Sequence, residues 1–326
     1  MSTTDTPDIS VIIVNWNTAE LLNKCLQSLY ATAGALQLDI LVVDNASQDN
    51  SVQLVKDVYP QVQVIENTDN LGFARANNQG LAMSRAPYVL FLNSDVFVGD
   101  STLRSAYDFL KEHAEVGVVG PMMRGVGGES QMEAFYRRYP SWMQLFLFYL
   151  SFDWLFLRVP RLRKRYWSDV PAGGGVVDQV PGAFLFTRRE VLDRIGGLDE
   201  RFFIFFEDVD WCRRCSLAGW QNYYLAELQV THVGSASFAQ WGSLHTMRQF
   251  YRSLLLYWEK YFGAANLLLV RCLLTVDSIL LILFGIVLLP LDFIRPVLRI
   301  REKIHSRWTF ITRVLFSKET RVLTTI

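Results

Sequence analysis

The sequence has little cysteine, and its first eight residues contain no apolar segment. Its four cysteines are Cys25, Cys212, Cys215 and Cys272. The first ten residues include two aspartates and no hydrophobic run, so we expect no secretory signal there. Few cysteines without such a signal are typical of a reducing compartment. One pair has C-x-x-C spacing, but no second pair accompanies it, which favours a packed helix face over a zinc or redox site.

The net charge of the chain is zero. The chain has 326 residues with 32 basic and 32 acidic side chains, whereas a dedicated nucleic-acid binder normally has a basic excess. We therefore expect no nucleic-acid partner. The charge is nevertheless uneven, since residues 1–120 carry 6 basic and 14 acidic groups, and residues 291–326 carry 8 basic and 3 acidic groups. A basic segment on a neutral chain predicts a surface partner, with anionic lipid as the leading candidate.

A G-x-G-x-x-G fingerprint does not follow the first apolar run, which argues against the usual dinucleotide fold. Instead, strand-like and helix-like segments alternate through the first third of the chain. We predict strands at Ile9–Asn15, Asp39–Val43, Val62–Glu66 and Tyr88–Leu92, and helices at Thr18–Tyr30, Ser51–Val58 and Phe73–Ser84. Such alternation predicts an α/β fold with a mostly parallel sheet covered by helices on both faces. Ligands of these sheets bind outside the carboxyl ends of the strands.

Two strongly apolar stretches occur later in the chain. Cys272–Leu291 has 20 residues and one charge, Asp277, and this length is sufficient to span a bilayer. Because the charge is costly at membrane depth, the segment either spans the bilayer or lies in its interface, and both readings stay open. Trp142–Leu157 is rich in aromatic residues and is followed by a basic cluster at 158–165. That run is either a core helix or an amphipathic flap that faces a membrane.

Two of the predicted strands are followed by an aspartate. Asp44 comes directly after Asp39–Val43, and Asp95 comes shortly after Tyr88–Leu92. A carboxylate at the edge of the sheet can accept a hydrogen bond from a pyrimidine ring N–H, as we predict for Asp44. It can also supply oxygen to a hard divalent cation on a diphosphate, as we predict for Asp95. The alternative is that each aspartate only stabilises a turn.

Further candidates lie in the second half of the chain. Glu207, Asp208 and Asp210 follow an aromatic run and open a predicted helix that extends to about residue 218. The helix dipole favours ionised carboxylates there, so the group either stabilises the start of the helix or supplies a general base. His232 follows a strand-like segment. It is either a surface turn residue or a metal or phosphate ligand.

Taken in order, these segments resemble glycosyltransferase family 2, whose members are inverting enzymes with the GT-A fold. The similarity covers about residues 9–263 and is greatest to the bacterial rhamnosyltransferase-like branch, which builds cell-surface polysaccharides on a lipid carrier. The matching motifs are SVIIVNW at Ser10–Trp16, VVDNAS at Val42–Ser47, NLGFARANNQG at Asn70–Gly80, LNSDV at Leu92–Val96, PGAF at Pro181–Phe184, GLD at Gly197–Asp199, FEDVD at Phe206–Asp210, Thr231-His232 and RSLLLYWEKYFG at Arg252–Gly263. The set is specific for the family and weak for the sugar.

The resemblance implies a site for a nucleoside-diphosphate sugar. Its residues would be Asn15, Asn17, Asp44, Gly72, Arg75 and Asp95. Asp44 would hold the pyrimidine base, the two asparagines would line the base and ribose pocket, Gly72 would permit close approach, and Arg75 would lie near the base or the diphosphate. Asp95 and His232 would bind Mg²⁺ or Mn²⁺. The D-x-D motif of the family reads Asn-Ser-Asp here, so its first acidic residue is missing and weaker metal binding is expected.

The resemblance also implies the reaction. Asp208 would act as general base on an acceptor hydroxyl, Glu207 would shape the acceptor site, and a single displacement would invert the anomeric carbon. The expected donor is dTDP-rhamnose, or alternatively a UDP-hexose or UDP-N-acetylhexosamine, and the expected acceptor is lipid-linked or a polysaccharide. Gln249–Arg252 matches half of the Q-x-x-R-W motif of processive synthases, but Ser253 replaces the tryptophan, so we expect a non-processive enzyme. The rival class is a non-catalytic nucleotide-sugar-binding protein on the same fold.

We divide the chain at residue 265. Residues 1–265 would form the GT-A catalytic domain, and residues 266–326 would form a membrane-associating helical tail. Basic groups that flank an apolar segment face the cytoplasm, where nucleotide sugars are made, so we expect the protein at the cytoplasmic face of the cell membrane. Nothing in the sequence indicates an oligomeric state.

Overall fold

The structure, a computed structural model, describes residues 6–146, 159–234 and 243–294, together with 304–305, 308–309 and 311–312. The chain divides into two compact units, Met1–Tyr139 with Arg163–Gln240, and Pro140–Leu162 with Trp241–Ile326. The functional division at residue 265 stays a prediction. Most of the aromatic run Trp142–Leu157 and most of the basic segment after residue 294 lie outside the described residues.

The first unit is built on a sheet of nine strands in the part of the chain that the structure describes. They are β1 Ile9–Asn15, β2 Leu38–Asp44, β3 Gln63–Glu66, β4 Tyr88–Asn93, β5 Val96–Val98, β6 Val116–Arg124, β7 Gly175–Val177, β8 Phe184–Arg188 and β9 Gln221–His232. Their order across the sheet is β3-β2-β1-β4-β8-β6-β9-β5, and β7 pairs with β9. β1 to β4 are parallel, as predicted, but β8 is antiparallel to both β4 and β6, so the complete sheet is mixed.

The helices connect and cover the strands. In the described residues they are α1 Ala19–Thr32, α2 Ser51–Val58, α3 Phe73–Met83, α4 Thr102–Glu112, α5 Met132–Phe135, α6 Trp142–Gln144, α7 Pro160–Tyr166, α8 Arg189–Ile195, α9 Glu207–Leu217, α10 Ser243–Phe262 and α11 Ala264–Ile294. The first three helices confirm the predicted segments to within two residues at each end. The strands β1, β2 and β4 are apolar and largely buried on both faces, whereas the edge strand β3 is partly exposed. Helices must therefore cover the sheet on both sides.

Cys212 and Cys215 lie on α9 with their side chains in the hydrophobic core, and both are free thiols. This is the packed helix face that the isolated C-x-x-C predicts.

The second unit contains α10 and α11. The rings of Trp142 and Trp258 meet edge to face with centroids 5.4 Å apart, and Trp258 stacks on Phe262 at 4.8 Å. Gly263, with φ of 85°, separates α10 from α11. Aromatic packing and a glycine turn therefore shape this helical unit.

Helix α11 is long and apolar enough to cross a membrane over Ala264–Leu289, a stretch of 26 residues. At 1.5 Å per residue this is about 39 Å. Large apolar side chains such as Leu280, Phe284 and Val287 are exposed on it, whereas Asp277 is buried. The carboxyl group of Asp277, which would be costly in contact with lipid, therefore does not lie on the exposed apolar side of α11.

Candidate active site

Asn15 and Asp44 end neighbouring parallel strands and stand opposite each other in register. Asn15 Nδ2 donates to Asp44 Oδ1 at 2.9 Å, and Ser47 donates to both carboxylate oxygens, from Oγ at 2.6 Å and from its backbone N–H at 2.8 Å. Asp44 is only 3% exposed. Its Oδ2 accepts one hydrogen bond from the described residues, and a carboxylate oxygen has room for a second. The carboxylate is thus held rigidly with capacity for one further donor.

The turns beside this carboxylate are conformationally strained. Asn17 and Ala46 both have left-handed backbones, with φ of 52° and 66°. Asn17 is fixed there because its N–H donates to Ser47 Oγ at 2.9 Å and its Oδ1 accepts from Gln48 N at 2.6 Å. Non-glycine residues in this region cost about 1–3 kcal/mol each and cluster at functional sites. The structure therefore places Asn15, Asn17 and Asp44 together, as the sequence predicts.

Gly72 and Arg75 lie at the start of α3. A Cβ on Gly72, where φ is 85°, would stand 2.5 Å from the carbonyl oxygen of Phe203. The group that closely approaches Gly72 is thus the backbone of Phe203. The same Phe203 oxygen accepts a hydrogen bond from Phe73 N–H at 2.7 Å. Arg75 is exposed, with its Nε 3.9 Å from Glu200 Oε2. The roles of both residues toward a nucleotide stay predictions.

Asp95 and His232 are brought together by the pairing of β5 with β9, in which His232 stands opposite Val96. Both residues are buried, at 8% and 7% exposure, and His232 Nε2 lies 3.5 Å from Asp95 Oδ1. The other carboxylate oxygen accepts from Gly234 N at 3.1 Å. Burial at the end of a strand excludes the surface-turn reading of His232. The sequence did not predict β5, because three residues are too few to show a period.

The side chains of Asp95, His232 and Asn93 fit a divalent cation. The 3.5 Å separation is longer than a hydrogen bond, and carboxylate oxygen and imidazole nitrogen are both metal ligands. Asn93, at the first position of the D-x-D motif, has a buried Oδ1 that accepts no hydrogen bond from the described residues. Among those residues no three His, Cys, Asp or Glu side chains gather to hold a metal alone. The set fits Mg²⁺ or Mn²⁺ that shares its shell with substrate phosphates, as Mg²⁺ commonly does.

Asp208 is tied to the same edge of the sheet. Its Oδ2 accepts from Gly182 N at 2.9 Å, and the next residue, Ala183, accepts from Asn93 N at 3.0 Å. This chain of contacts joins Asp208 to the segment that carries Asp95. It exists because β8 runs antiparallel to β4 and so begins where β4 ends.

The pKa of Asp208 is raised above its ordinary value, since burial disfavours the charged form. Hydrogen bonds from the backbone of Gly182 and Val209 and the positive charge of Arg137 act in the opposite direction. A carboxylate with elevated basicity that is still supported by donors suits a general base.

Glu207 has a different environment. It is 5% exposed, and its Oε2 has no hydrogen-bond partner among the described residues. Burial, followed by the charges of Asp208 and Asp210, raises its pKa well above the ordinary range. Burial therefore raises the pKa of Glu207 more strongly than that of Asp208, whose carboxylate is supported by backbone donors.

Asp210, the third acidic residue of the cluster, is part of the scaffold. It is fully buried and accepts from Arg214 Nε at 2.9 Å. The same guanidinium donates to the carbonyls of Ile195 and Gly197 at 2.6 and 2.7 Å. Asp210 thus holds α9 against the chain that follows α8.

Two residues of the site were not predicted. Arg137 lies close enough to Asp208 to lower its pKa, and Gln131 is hydrogen-bonded to His232. Neither belongs to a recognisable motif, and both are far along the chain from the groups they affect. No local sequence signal would have found them.

The mixed sheet and the acidic cluster at its edge define a GT-A glycosyltransferase domain. Residues 10–169 match the family model described as glycosyl transferase family 2. Residues 10–169 therefore form a glycosyltransferase family 2 domain, and the protein is a glycosyltransferase.

Characterised relatives agree with this assignment. The chain is similar to the N-acetylglucosaminyl-diphospho-decaprenol L-rhamnosyltransferase of Mycobacterium tuberculosis, with 28% identity over 242 residues, 69% of this chain and 75% of the relative. It is also similar to the rhamnosyltransferase WbbL of Escherichia coli, with 24% identity over 233 residues, 69% of this chain and 83% of the relative. A mannosyltransferase from Pyrobaculum calidifontis, solved with GDP-mannose and Mn²⁺, matches in fold with a TM-score of 0.55 and 17% identity, over 95% of this chain and 88% of that one.

Proposed function

We propose that the protein transfers rhamnose, with inversion, from dTDP-rhamnose to a hydroxyl of a lipid-linked or polysaccharide acceptor in cell-surface glycan synthesis. The observation that carries the reaction type is the contact chain from Asp208 through Gly182 and Ala183 to the Asn93–Asp95 segment. It puts a basic carboxylate and a candidate cation site at one edge of the sheet. The choice of rhamnose is supported by the names of the two bacterial relatives.

The donor would be held by three sets of groups. Asp44 Oδ2, with its remaining capacity, accepts from the ring N–H of a pyrimidine base, and Asn15 and Asn17 line the base and ribose. Asp95 and His232 would hold Mg²⁺ or Mn²⁺, which would bind the diphosphate. When bound, the cation offsets the negative charge that develops on the leaving group.

The transfer itself is a single displacement. Asp208 accepts the proton of the acceptor hydroxyl while the oxygen forms a bond to the anomeric carbon and the bond from that carbon to the diphosphate breaks. Glu207, whose pKa burial raises, shapes the acceptor site beside it. No covalent intermediate with the protein is required, so the configuration at the carbon is inverted.

A lipid-linked acceptor requires a position at the membrane. We propose that α11 supplies it at the cytoplasmic face, because its apolar side chains are exposed over a length sufficient for a bilayer.

Nucleotide-dependent thermal stability and product analysis test the donor. With Mn²⁺ present, dTDP and UDP should raise the melting temperature far more than ADP and GDP, since ligand at 100 times its Kd contributes about 2.7 kcal/mol. Asp44→Ala should remove this preference. Equal stabilisation by purine nucleotides would contradict the base assignment. Sugar transfer is measured in membranes as release of the nucleotide. If a UDP-hexose is a donor and dTDP-rhamnose is not, the proposed donor sugar is wrong.

A further inference from the structure

Gln131 contacts His232 at two points. Its Oε1 lies 2.9 Å from His232 Nδ1, and its Nε2 lies 3.2 Å from the backbone oxygen of His232. The backbone N–H of Gln131 donates to Met123 O at 3.0 Å, which fixes the residue to β6. Phe135, one helical turn further on, packs edge to face on the imidazole with centroids 5.2 Å apart. The ring is therefore held in one orientation.

These contacts determine which imidazole nitrogen carries hydrogen. The backbone oxygen of His232 can only accept, so the amide nitrogen of Gln131 must face it. The amide oxygen of Gln131 then faces Nδ1, and because this oxygen also only accepts, Nδ1 must be the donor. In the neutral ring Nε2 is then left with a bare lone pair.

The bare nitrogen faces another acceptor. His232 Nε2 lies 3.5 Å from Asp95 Oδ1, and the Asp95 carboxylate is held by Gly234 N–H on its other oxygen. Both side chains are buried. Two buried lone-pair atoms that face each other repel, unless a proton or a metal cation lies between them.

We propose that Gln131 is a positioning residue for the candidate metal site: it fixes His232 as the Nδ1–H tautomer, so that Nε2 and Asp95 Oδ1 act as two ligands of one divalent cation. The inference rests on the proposed function only in assuming that a cation is used. It is independent of the donor sugar and of the base.

The tautomer is measured directly in the full-length protein. Histidine is labelled with ¹⁵N, and the His232 signals are assigned by their loss in His232→Gln. In a long-range ¹H–¹⁵N spectrum at about pH 8, where ordinary imidazoles are neutral, we expect a protonated Nδ1 and a bare Nε2. Gln131→Met removes the acceptor, and His232 should change toward the Nε2–H form. Gln131→Glu keeps an oxygen at Nδ1 and should retain the Nδ1–H form.

Metal binding is the second readout. Mn²⁺ alone, added to the wild-type protein, should broaden the His232 signals. Gln131→Met should require about 10–100 times more Mn²⁺ for the same broadening, the usual effect of losing a group that orients a metal ligand. Gln131→Glu should restore binding. Gln79→Met is the matched control, because Gln79 is also half-buried with both amide atoms bonded, in its case to Asn67, and it should behave as wild type.

Several results would overturn the inference. They are an Nε2–H tautomer in the wild type, an unchanged tautomer or Mn²⁺ requirement in Gln131→Met, or no effect of Mn²⁺ on His232 in the wild type. The measurements do not use sugar transfer. If transfer from dTDP-rhamnose fails while the tautomer and Mn²⁺ binding are as expected, the proposed donor is wrong and the role of Gln131 stands.

Discussion

Glu207, Asp208 and Asp210 carry similar carboxyl groups, but their surroundings give them different roles. Asp210 is paired with Arg214, Asp208 is supported by backbone donors, and Glu207 is buried with an oxygen that has no partner among the described residues. The sequence alone places all three at the start of one helix. Only their contacts separate a scaffold residue, a base candidate and a neutral neighbour.

Asp208→Asn should lower kcat by about 10²–10⁴, the usual contribution of general-base catalysis. The amide oxygen can still accept from Gly182 N, but the amide nitrogen cannot accept from Val209 N. The melting temperature should therefore fall slightly, and the nucleotide affinity should change little. Steady-state kinetics and thermal unfolding measure both. Asp210→Asn is the control, because weakening a buried ion pair should lower stability, by up to about 3 kcal/mol. Near-wild-type turnover of Asp208→Asn would exclude it as the base.

Glu207→Gln should raise the acceptor KM more than it lowers kcat. Glutamine has the shape of the neutral acid that burial favours at this position, so the pocket persists while hydrogen bonding to the acceptor changes. A loss in kcat as large as that of Asp208→Asn would show instead that Glu207 moves a proton.

Arg137→Met should shift the acidic limb of the kcat/KM profile to higher pH. The base must be ionised, so activity is lost as pH falls through the pKa of Asp208, and removal of the Arg137 charge raises that pKa. Arg138→Met is the matched control, because Arg138 pairs with Asp169 and Asp178 instead. If the pH profile does not shift in Arg137→Met, the charge of Arg137 does not affect the pKa of the base.

At the scale of elements, the turn after β2 holds Asp44 in place at the expense of backbone strain. Ala46→Gly should relieve the left-handed conformation at φ of 66°. The net gain should be about 0.5–1 kcal/mol, because the relief of about 1–2 kcal/mol exceeds the entropy cost of glycine. Ala82→Gly, on the exposed side of α3, should instead destabilise by about 1 kcal/mol. Chemical denaturation compares the two, and destabilisation by Ala46→Gly would contradict the strain argument.

The elements also show which structural features the sequence predicts. The apolar runs of β1 to β4 are long enough to identify strands, and strand ends then locate Asn15, Asp44 and Asp95. The placement of β8 between β4 and β6 has no local signal, because strand order depends on tertiary packing. The contact between Gln131 and His232 depends on that packing, since β6 and β9 must first pair.

At the scale of the whole molecule, the exposed apolar side of α11 distinguishes the second unit from the first. Leu280→Glu combined with Val287→Glu should move the protein from the membrane fraction to the soluble fraction, since each charge costs about 2.5–3.5 kcal/mol at bilayer depth. The two residues are 59% and 74% exposed, and Val58 and Leu217 in the first unit, 57% and 74% exposed, provide the matched control pair. Fractionation of both double variants tests this, and equal behaviour would exclude α11 as the anchor.

The antiparallel insertion of β8 has a consequence for synthesis on the ribosome. Residue 88 pairs with residue 188, and residue 96 pairs with residue 232. The nascent chain therefore displays an unpaired β4 edge until much of the protein has been made, and such edges promote aggregation. Release of the chain before β9 emerges would leave the candidate site without His232. Expression of this enzyme should accordingly depend on chaperones more than its stability, once folded, would indicate.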